Sequence, residues 1–284
     1  MIRYCGREFS DTELAAIGQL IEQSPGCSRY ALSRRTCQML GWIKSDGGLK
    51  EMSCRVAMLR MHEDGLIRLP APRPIRIPQG VKLSPATAAQ SPITQAVHEL
   101  PPPEFHLVRA KKDSRLWNEY IQRYHYLGYT PLPGAQLRYF VTVDGRFVAL
   151  LGFGAPAWKT APRDQFIGWA PEQRLKNIHL IANNARFLIL PWVQSKGLAS
   201  QILAGITRRL PSDWHNRYGY RPVLLETFVQ SDRFRGTCYK AANWIHVGQT
   251  TGRGKIDVTH QCAIPVKDIW LYPLTRHFQR ALTA

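Results

Sequence analysis

The chain has 284 residues, 44 % hydrophobic and 20 % charged, which is enough apolar material for a packed core and too much for general disorder. No stretch approaches 18 consecutive apolar residues, which excludes a transmembrane helix, and Met1-Ile2-Arg3-Tyr4-Cys5 lacks the apolar core of an export signal, so the expectation is a cytoplasmic protein with no membrane partner. The 38 basic and 20 acidic residues leave a net charge of +18, and this points to a polyanionic partner.

The length suggests two domains. In the first, residues 1–69, Ser10-Asp11-Thr12-Glu13 reads as a capping box opening a helix. Leu14, Ile17, Leu20 and Ile21 follow at helical spacing, and Pro25-Gly26 ends that run. Ser28 caps a second helix through residue 40. A third spans about 49–64, with Met52, Val56 and Leu59 on one face and Gly65 as its stop. Residues 66–69 read as a strand. Three helices followed by a strand predict a winged-helix domain. Its third helix would present Lys50, Ser53, Arg55 and Arg60 to DNA; docking on a protein partner is the alternative. Nine prolines then crowd residues 70–105, which predicts an extended linker with a short helix near 95–100.

Residues 106–284 form the second domain and hold 25 of the basic and only 10 of the acidic residues. A helix over 114–124 is expected first. Two apolar runs, 137–143 and 146–153, flank Asp144-Gly145, a strong hairpin signal. Further on come a helical segment at 175–183, a strand at 185–190, a helix at 198–210 and a strand at 222–229. A helix at 232–242 and a strand at 244–249 follow, and the last extended segment is 265–274. The six cysteines have no CxxC spacing and read as reduced thiols.

This order resembles the GNAT acyltransferase fold over about 107–250. Its most specific point is Gln194-Ser195-Lys196-Gly197-Leu198-Ala199 after a strand and at a helix start. The resemblance implies that Gln194, Gly197 and Ala199 hold the diphosphate of acyl-CoA, since helix-start amides beside small residues suit an anion. Gly236-Thr237-Cys238-Tyr239 resembles the family's late helix, which implies Tyr239 as a general acid. Trp192, and the absence of a glycine before Gly197, depart from the common pattern.

A second resemblance spans nearly the whole chain. His125-Tyr126-Leu127-Gly128, Arg163-Asp164, Ile167-Gly168-Trp169 and Asn183-Asn184-Ala185-Arg186-Phe187-Leu188-Ile189-Leu190-Pro191 carry it. So do Leu225-Glu226-Thr227-Phe228-Val229, Gly236-Thr237-Cys238-Tyr239, Gly248-Gln249-Thr250-Thr251-Gly252-Arg253-Gly254 and Lys267-Asp268-Ile269-Trp270. Together they resemble the Druantia A family of bacterial anti-phage systems, whose relatives also occur near transposases. This implies a defence or mobile-element context, with other proteins of such systems as partners, and names no reaction.

The acids give a competing reading. Asp164, Glu226 and Asp232 lie in the most basic part of the chain, and carboxylates holding Mg²⁺ would suit a nuclease or strand transferase. In that alternative Asp164, Glu226 and Tyr239 are the catalytic residues, Tyr239 acting as a nucleophile on phosphate. The bland alternative pairs Glu226, inside an apolar strand, with Arg163 or Arg186. Arg163, Arg186, Arg235, Arg253 and Lys255 are candidate phosphate contacts. Trp117, Tyr120, Tyr124, Tyr126, Trp158, Trp169 and Trp192 either stack bases or fill the core. No HxH or HExxH pair occurs, so no metal site is assigned. The expectation is a two-domain, DNA-binding protein of mixed α/β class. Its possible roles are acyl transfer, DNA cleavage or a non-catalytic scaffold.

Overall fold

The structure is a computed structural model that describes residues 1–72, 80–253 and 264–284. The chain divides into two compact units, Met1–Gln79 and Gly80–Ala284.

The first unit begins with a hairpin that sequence pattern does not announce. β1 (Ile2–Tyr4) pairs antiparallel with β2 (Arg7–Phe9). The capping box then forms as expected: Ser10 accepts from the Glu13 amide, and the Glu13 carboxylate accepts from the Ser10 amide. It opens α1 (Asp11–Glu22); α2 (Arg29–Met39) and α3 (Glu51–Glu63) follow. Phe9, Ile17, Leu32, Met58 and Met61 are buried together at their centre. α3 therefore turns Cys54, Ala57, Met58 and Met61 inward and leaves Met52, Val56 and Leu59 exposed, the reverse of the expected face. Residues 66–69 do not form the strand expected after the third helix, and the two-stranded element of this unit among the described residues pairs Ile2–Tyr4 with Arg7–Phe9. Ile67 and Leu69 are instead buried in the unit's core as irregular chain.

The second unit is built on a seven-stranded mixed sheet. Its strands are β3 (Glu104–Leu107), β4 (Leu137–Val143), β5 (Arg146–Gly154), β6 (Ile181–Ile189), β7 (Leu224–Gln230), β8 (Ile245–Gln249) and β9 (Lys267–Pro273), in the order β3-β4-β5-β6-β7-β9-β8. All neighbours are antiparallel except β6 and β7. The Asp144-Gly145 turn joins β4 to β5 as expected, with Val143 opposite Arg146. α7 (Leu198–Tyr218) packs Leu198, Ile202, Ile206, Leu210 and Trp214 on one face of the sheet, and α4 (Lys111–Tyr124) packs Trp117, Tyr120 and Ile121 on the other. α5 (Ala161–Ile167), α6 (Pro171–Asn177) and the C-terminal α9 (Phe278–Leu282) flank the far end around Ile167, Trp169 and Phe278. The short helix α8 (Thr237–Ala241) precedes β8. Residues 232–236 are turn rather than the helical run expected there.

The proline-rich segment is not a free linker beyond residue 84. A 3₁₀ turn, Pro85–Thr87, is clamped to α4: the Glu119 carboxylate accepts from the Ser84 amide and from the buried Thr87 hydroxyl, and Tyr124 donates to the Thr87 carbonyl. Farther on, the Ile93 amide donates to the Trp192 carbonyl at 2.8 Å and the Gln194 amide donates to the Ile93 carbonyl at 2.8 Å. Ile93 is buried in the main core. Prolines explain the difference: they forbid helix but leave extended chain free to lie as a strap over a sheet-and-helix surface. Residues 95–100 turn without forming the expected helix, and residues 73–79 of the expected linker lie outside the described residues.

Truncating Ile93 to alanine removes a buried side chain and the cover over the 192–194 segment. Urea unfolding of Ile93→Ala is expected to show a loss of about 2–5 kcal/mol; a loss below about 0.5 kcal/mol would show that the strap is only loosely held.

Candidate nucleic-acid interface

Strands β6 and β7 pair over only three residues, Ile181–Leu224, Ala182–Leu225 and Asn183–Glu226, and then part. β6 continues along β5 and β7 along β9. The split opens a cleft of about 860 Å³. On its β6 side the register against β5 shifts, with Asn184 opposite Phe153 and Arg186 opposite Gly152, so Ala185 is a β-bulge. The C-terminal end of α4, the turn before α8, and residues 250–253 and 264–267 complete the walls.

The split is pinned by an ion pair. Arg163 and Glu226 are both fully buried, and the guanidinium donates to Glu226 Oε2 at 2.8 Å. The other oxygen of Glu226 accepts from the Ala157 amide at 2.7 Å. Arg163 also donates to Asp164 at 2.7 Å and to the Ala157 carbonyl at 2.6 Å, and Arg174 reaches Asp164 at 3.2 Å. Burial alone would lower the Arg163 guanidinium, but the charges and hydrogen bonds of Glu226 and Asp164 outweigh it and raise its pKa.

This arrangement takes the proposed nuclease trio apart. Glu226 and Asp164 are committed to Arg163. Leu225 and Thr227 share the face of β7 that carries Tyr239, so Glu226, by alternation, points to the other face. No cluster of three metal-ligating side chains occurs among the described residues, so Mg²⁺ finds no three-carboxylate site there. Arg163 is fully buried and cannot touch a nucleic acid.

Tyr239 lies on the cleft floor. Its hydroxyl donates to Asn184 Oδ1 at 2.8 Å, and Thr227 Oγ1 is 3.4 Å away. Burial pushes the phenol up, so it stays neutral. Its hydrogen-bond acceptor is a carboxamide, which cannot take the proton a nucleophilic tyrosine must lose. Gly236 holds the turn before it: φ is +65° and a Cβ there would lie 2.9 Å from the Trp270 ring.

The cleft's charge is one-sided. Arg186, Arg233, Arg235, Arg253 and Lys267 line it, and no described lining residue is an aspartate or glutamate. Arg233, Arg235 and Arg253 are exposed, whereas Arg186 and Lys267 are half-buried. Arg186 donates to Thr130 Oγ1 and to the Ala185 carbonyl, both at 2.7 Å. Burial lowers the pKa of Lys267, and the charge of Arg186 lowers it further. His125 is pushed down to about 4 by burial and then by Arg186 and Arg233. Its Nδ1 accepts from the Leu127 amide at 3.2 Å, which puts the proton of the neutral ring on Nε2.

The other expected residues are scattered. Of the loop residues, Ala199 lines the cleft, but Gln194 and Gly197 do not. The Gln194 amide is spent on Ile93, and Val97 sits beside Gly197, 3.4 Å from where a Cβ would be. Lys50, Arg55 and Arg60 lie on or beside α3 in the first unit; Lys50 and Arg55 are half-buried and Arg60 is exposed. Lys255 lies outside the described residues. Trp117, Tyr120, Trp169 and Trp192 are core, and Trp158 is exposed. Arg233 and Phe234 are hidden in the sequence because residues 232–242 read as one helix, and Lys267 because nothing local to its strand shows that it borders a cleft.

The fold and cleft define a class: a mixed α/β unit whose sheet splits where its parallel strands β6 and β7 part. Among solved structures, aminoglycoside acetyltransferase AAC(6′)-Ib in complex with ribostamycin and coenzyme A is similar at 11 % identity, with a TM-score of 0.41, over 61 % of this chain and 94 % of that one. The ribosomal-protein-S18-alanine N-acetyltransferase from Escherichia coli shows 12 % identity and a TM-score of 0.39 over 61 % and 94 %. An N-acetyltransferase from Staphylococcus aureus Mu50 shows 10 % and 0.38 over 61 % and 99 %. A comparison with curated proteins finds no match. The profile of Druantia protein DruA matches residues 79–264, and the chain belongs to that family. No helix among the described residues is long and apolar enough to cross a membrane.

Two outcomes follow from this geometry. Glu226→Gln leaves Arg163 buried beside a neutral group, and urea unfolding is expected to show a loss of about 3–5 kcal/mol, as for other broken buried pairs; a loss under about 1 kcal/mol would remove the ion pair from the account. His125 stays neutral in the fold down to about pH 4, whereas in the unfolded chain it protonates near 6.5. The unfolded state therefore binds the extra proton, and stability falls as pH drops through that window. An NMR titration placing His125 near 6.5 in the folded protein would contradict this.

Proposed function

We propose that this DruA-family protein is a nucleic-acid-binding component of a defence system or mobile element, and that it grips the phosphate backbone in the cleft between β6 and β7. The supporting observation is the set of five cations around the cleft with no described carboxylate among its lining. Burial lowers the pKa of Lys267 and His125, and the charge of Arg186 lowers both further, a repulsion that entering phosphates relieve. Aromatic rings share the lining with the cations: Tyr124, Tyr126, Phe187, Phe228, Phe234 and Tyr239. That mixture is the one that tracks a nucleic-acid strand.

Acyl transfer has less support. The first amide of the 194–199 loop is already bonded to Ile93, and two of its three expected cofactor residues stand outside the cleft. DNA cleavage has less still, since its carboxylates neutralise Arg163. The reading is therefore a binding or scaffolding role for the second unit. Lys50, Arg55 and Arg60 remain candidate DNA contacts of the first unit.

Binding of labelled DNA across a salt series tests this. With about three phosphates neutralised by the exposed Arg233, Arg235 and Arg253, log K is expected to fall against log salt with a slope of about −2 to −3. Arg235→Ala is expected to flatten that slope by about one. A flat salt response, or tighter binding of coenzyme A than of DNA, would overturn the proposal.

A further inference from the structure

The cationic cleft leaves open which form of nucleic acid enters it. We propose that it takes an unpaired strand, and that Phe234, with Tyr126 and Arg233, is a stacking platform for one base at its mouth; this rests on the nucleic-acid reading above. The turn Asp232-Arg233-Phe234-Arg235-Gly236 is closed by the Arg233 and Phe234 amides, both donating to the Gln230 carbonyl. It leaves Phe234 43 % exposed between two arginines. A ring that size gains by burial, yet Phe234 and Tyr126 belong to none of the core clusters among the described residues. They pack on each other instead: their ring centroids are 5.2 Å apart and their planes 61° apart. Arg233 lies 4.8 Å from the centre of Tyr126 and 5.7 Å from that of Phe234. His125 stacks on Tyr126 at 5.0 Å and an angle of 28°.

Each part has a use with an unpaired strand. The exposed aromatic face offers a surface for a base, and neighbouring guanidinium groups add cation–π attraction and hold the adjacent phosphates. A duplex presents no base faces along its length, so Phe234 would gain nothing from one. The size of the cleft agrees. About 860 Å³ is the scale of a small-ligand pocket, room for one or two nucleotides and far too little for a double helix.

The test is fluorescence anisotropy at one fixed salt concentration. The probes are a short labelled DNA strand, its duplex, and a strand of equal length whose residues are all abasic. The intact strand is expected to bind at least about fivefold more tightly than either other probe, since one stacked base contributes about 5- to 100-fold. Phe234→Ala should lose about 5- to 100-fold on the intact strand and little on the abasic one, and Phe234→Tyr should retain most of the affinity. Because the ring lies outside the core clusters, a matched melting temperature checks that each variant is folded. Equal binding of strand and duplex, or an equal loss by Phe234→Ala on intact and abasic strands, would overturn the platform while leaving backbone binding in place. No salt-sensitive binding of any probe would overturn the nucleic-acid reading itself, and the platform with it.

Discussion

Strands β6 and β7 hold together for three residue pairs, and at the last of them Glu226 meets Arg163 with neither side chain reaching water. A buried carboxylate opposite a buried guanidinium costs a great deal to desolvate, and it is tolerable because both charges are fully occupied. Glu226 holds the Ala157 amide as well as Arg163, and Arg163 in turn holds the Ala157 carbonyl and Asp164. The chain between β5 and α5 is thereby tied to the point where the sheet divides. The pair sits where β7 leaves β6, at the point from which the cleft opens.

From that fork the chemistry divides by face. One face of β7 carries Glu226 and the ion-pair network. The other carries Thr227, with Asn184 and Tyr239 completing a small neutral cluster. The cations sit outside this cluster, on the bulged β6, the turn before α8 and the start of β9. A neutral floor under a positive mouth suits a ligand whose charge is peripheral and whose interior is a flat, weakly polar ring. A nucleotide strand fits that description. The strap over residues 192–194 adds a further constraint, since it occupies the Gln194 amide in the loop ahead of α7.

Much of this was legible in the sequence. Ser10 and Glu13 announce their capping box, Asp144-Gly145 its hairpin, and the apolar spacing from Leu198 to Leu210 its helix, because each signal is local. Glu226 was legible as a buried carboxylate in an apolar strand, with Arg163 named as one of two partners. What was not legible depends on long-range packing. α3 carries two apolar stripes, Met52–Val56–Leu59 and Cys54–Met58–Met61, and only the core decides which faces inward. Prolines in the 84–103 segment exclude helix but say nothing of whether extended chain docks. The bulge at Ala185 and the turn that exposes Phe234 leave no pattern in the residues, so Arg186, Arg235 and Arg253 are legible as candidate phosphate contacts but not as one cleft shared with Arg233 and Lys267.

The central claim, that a nucleic-acid strand lies in the β6–β7 cleft, is tested most directly by photo-crosslinking a bound single-stranded DNA to the full chain and mapping the modified peptides. The account predicts crosslinks in the peptides carrying Tyr126 and Phe234, with protection of Arg186 and Arg235. Crosslinks confined to the first unit, or to the α7 face away from the cleft, would contradict it.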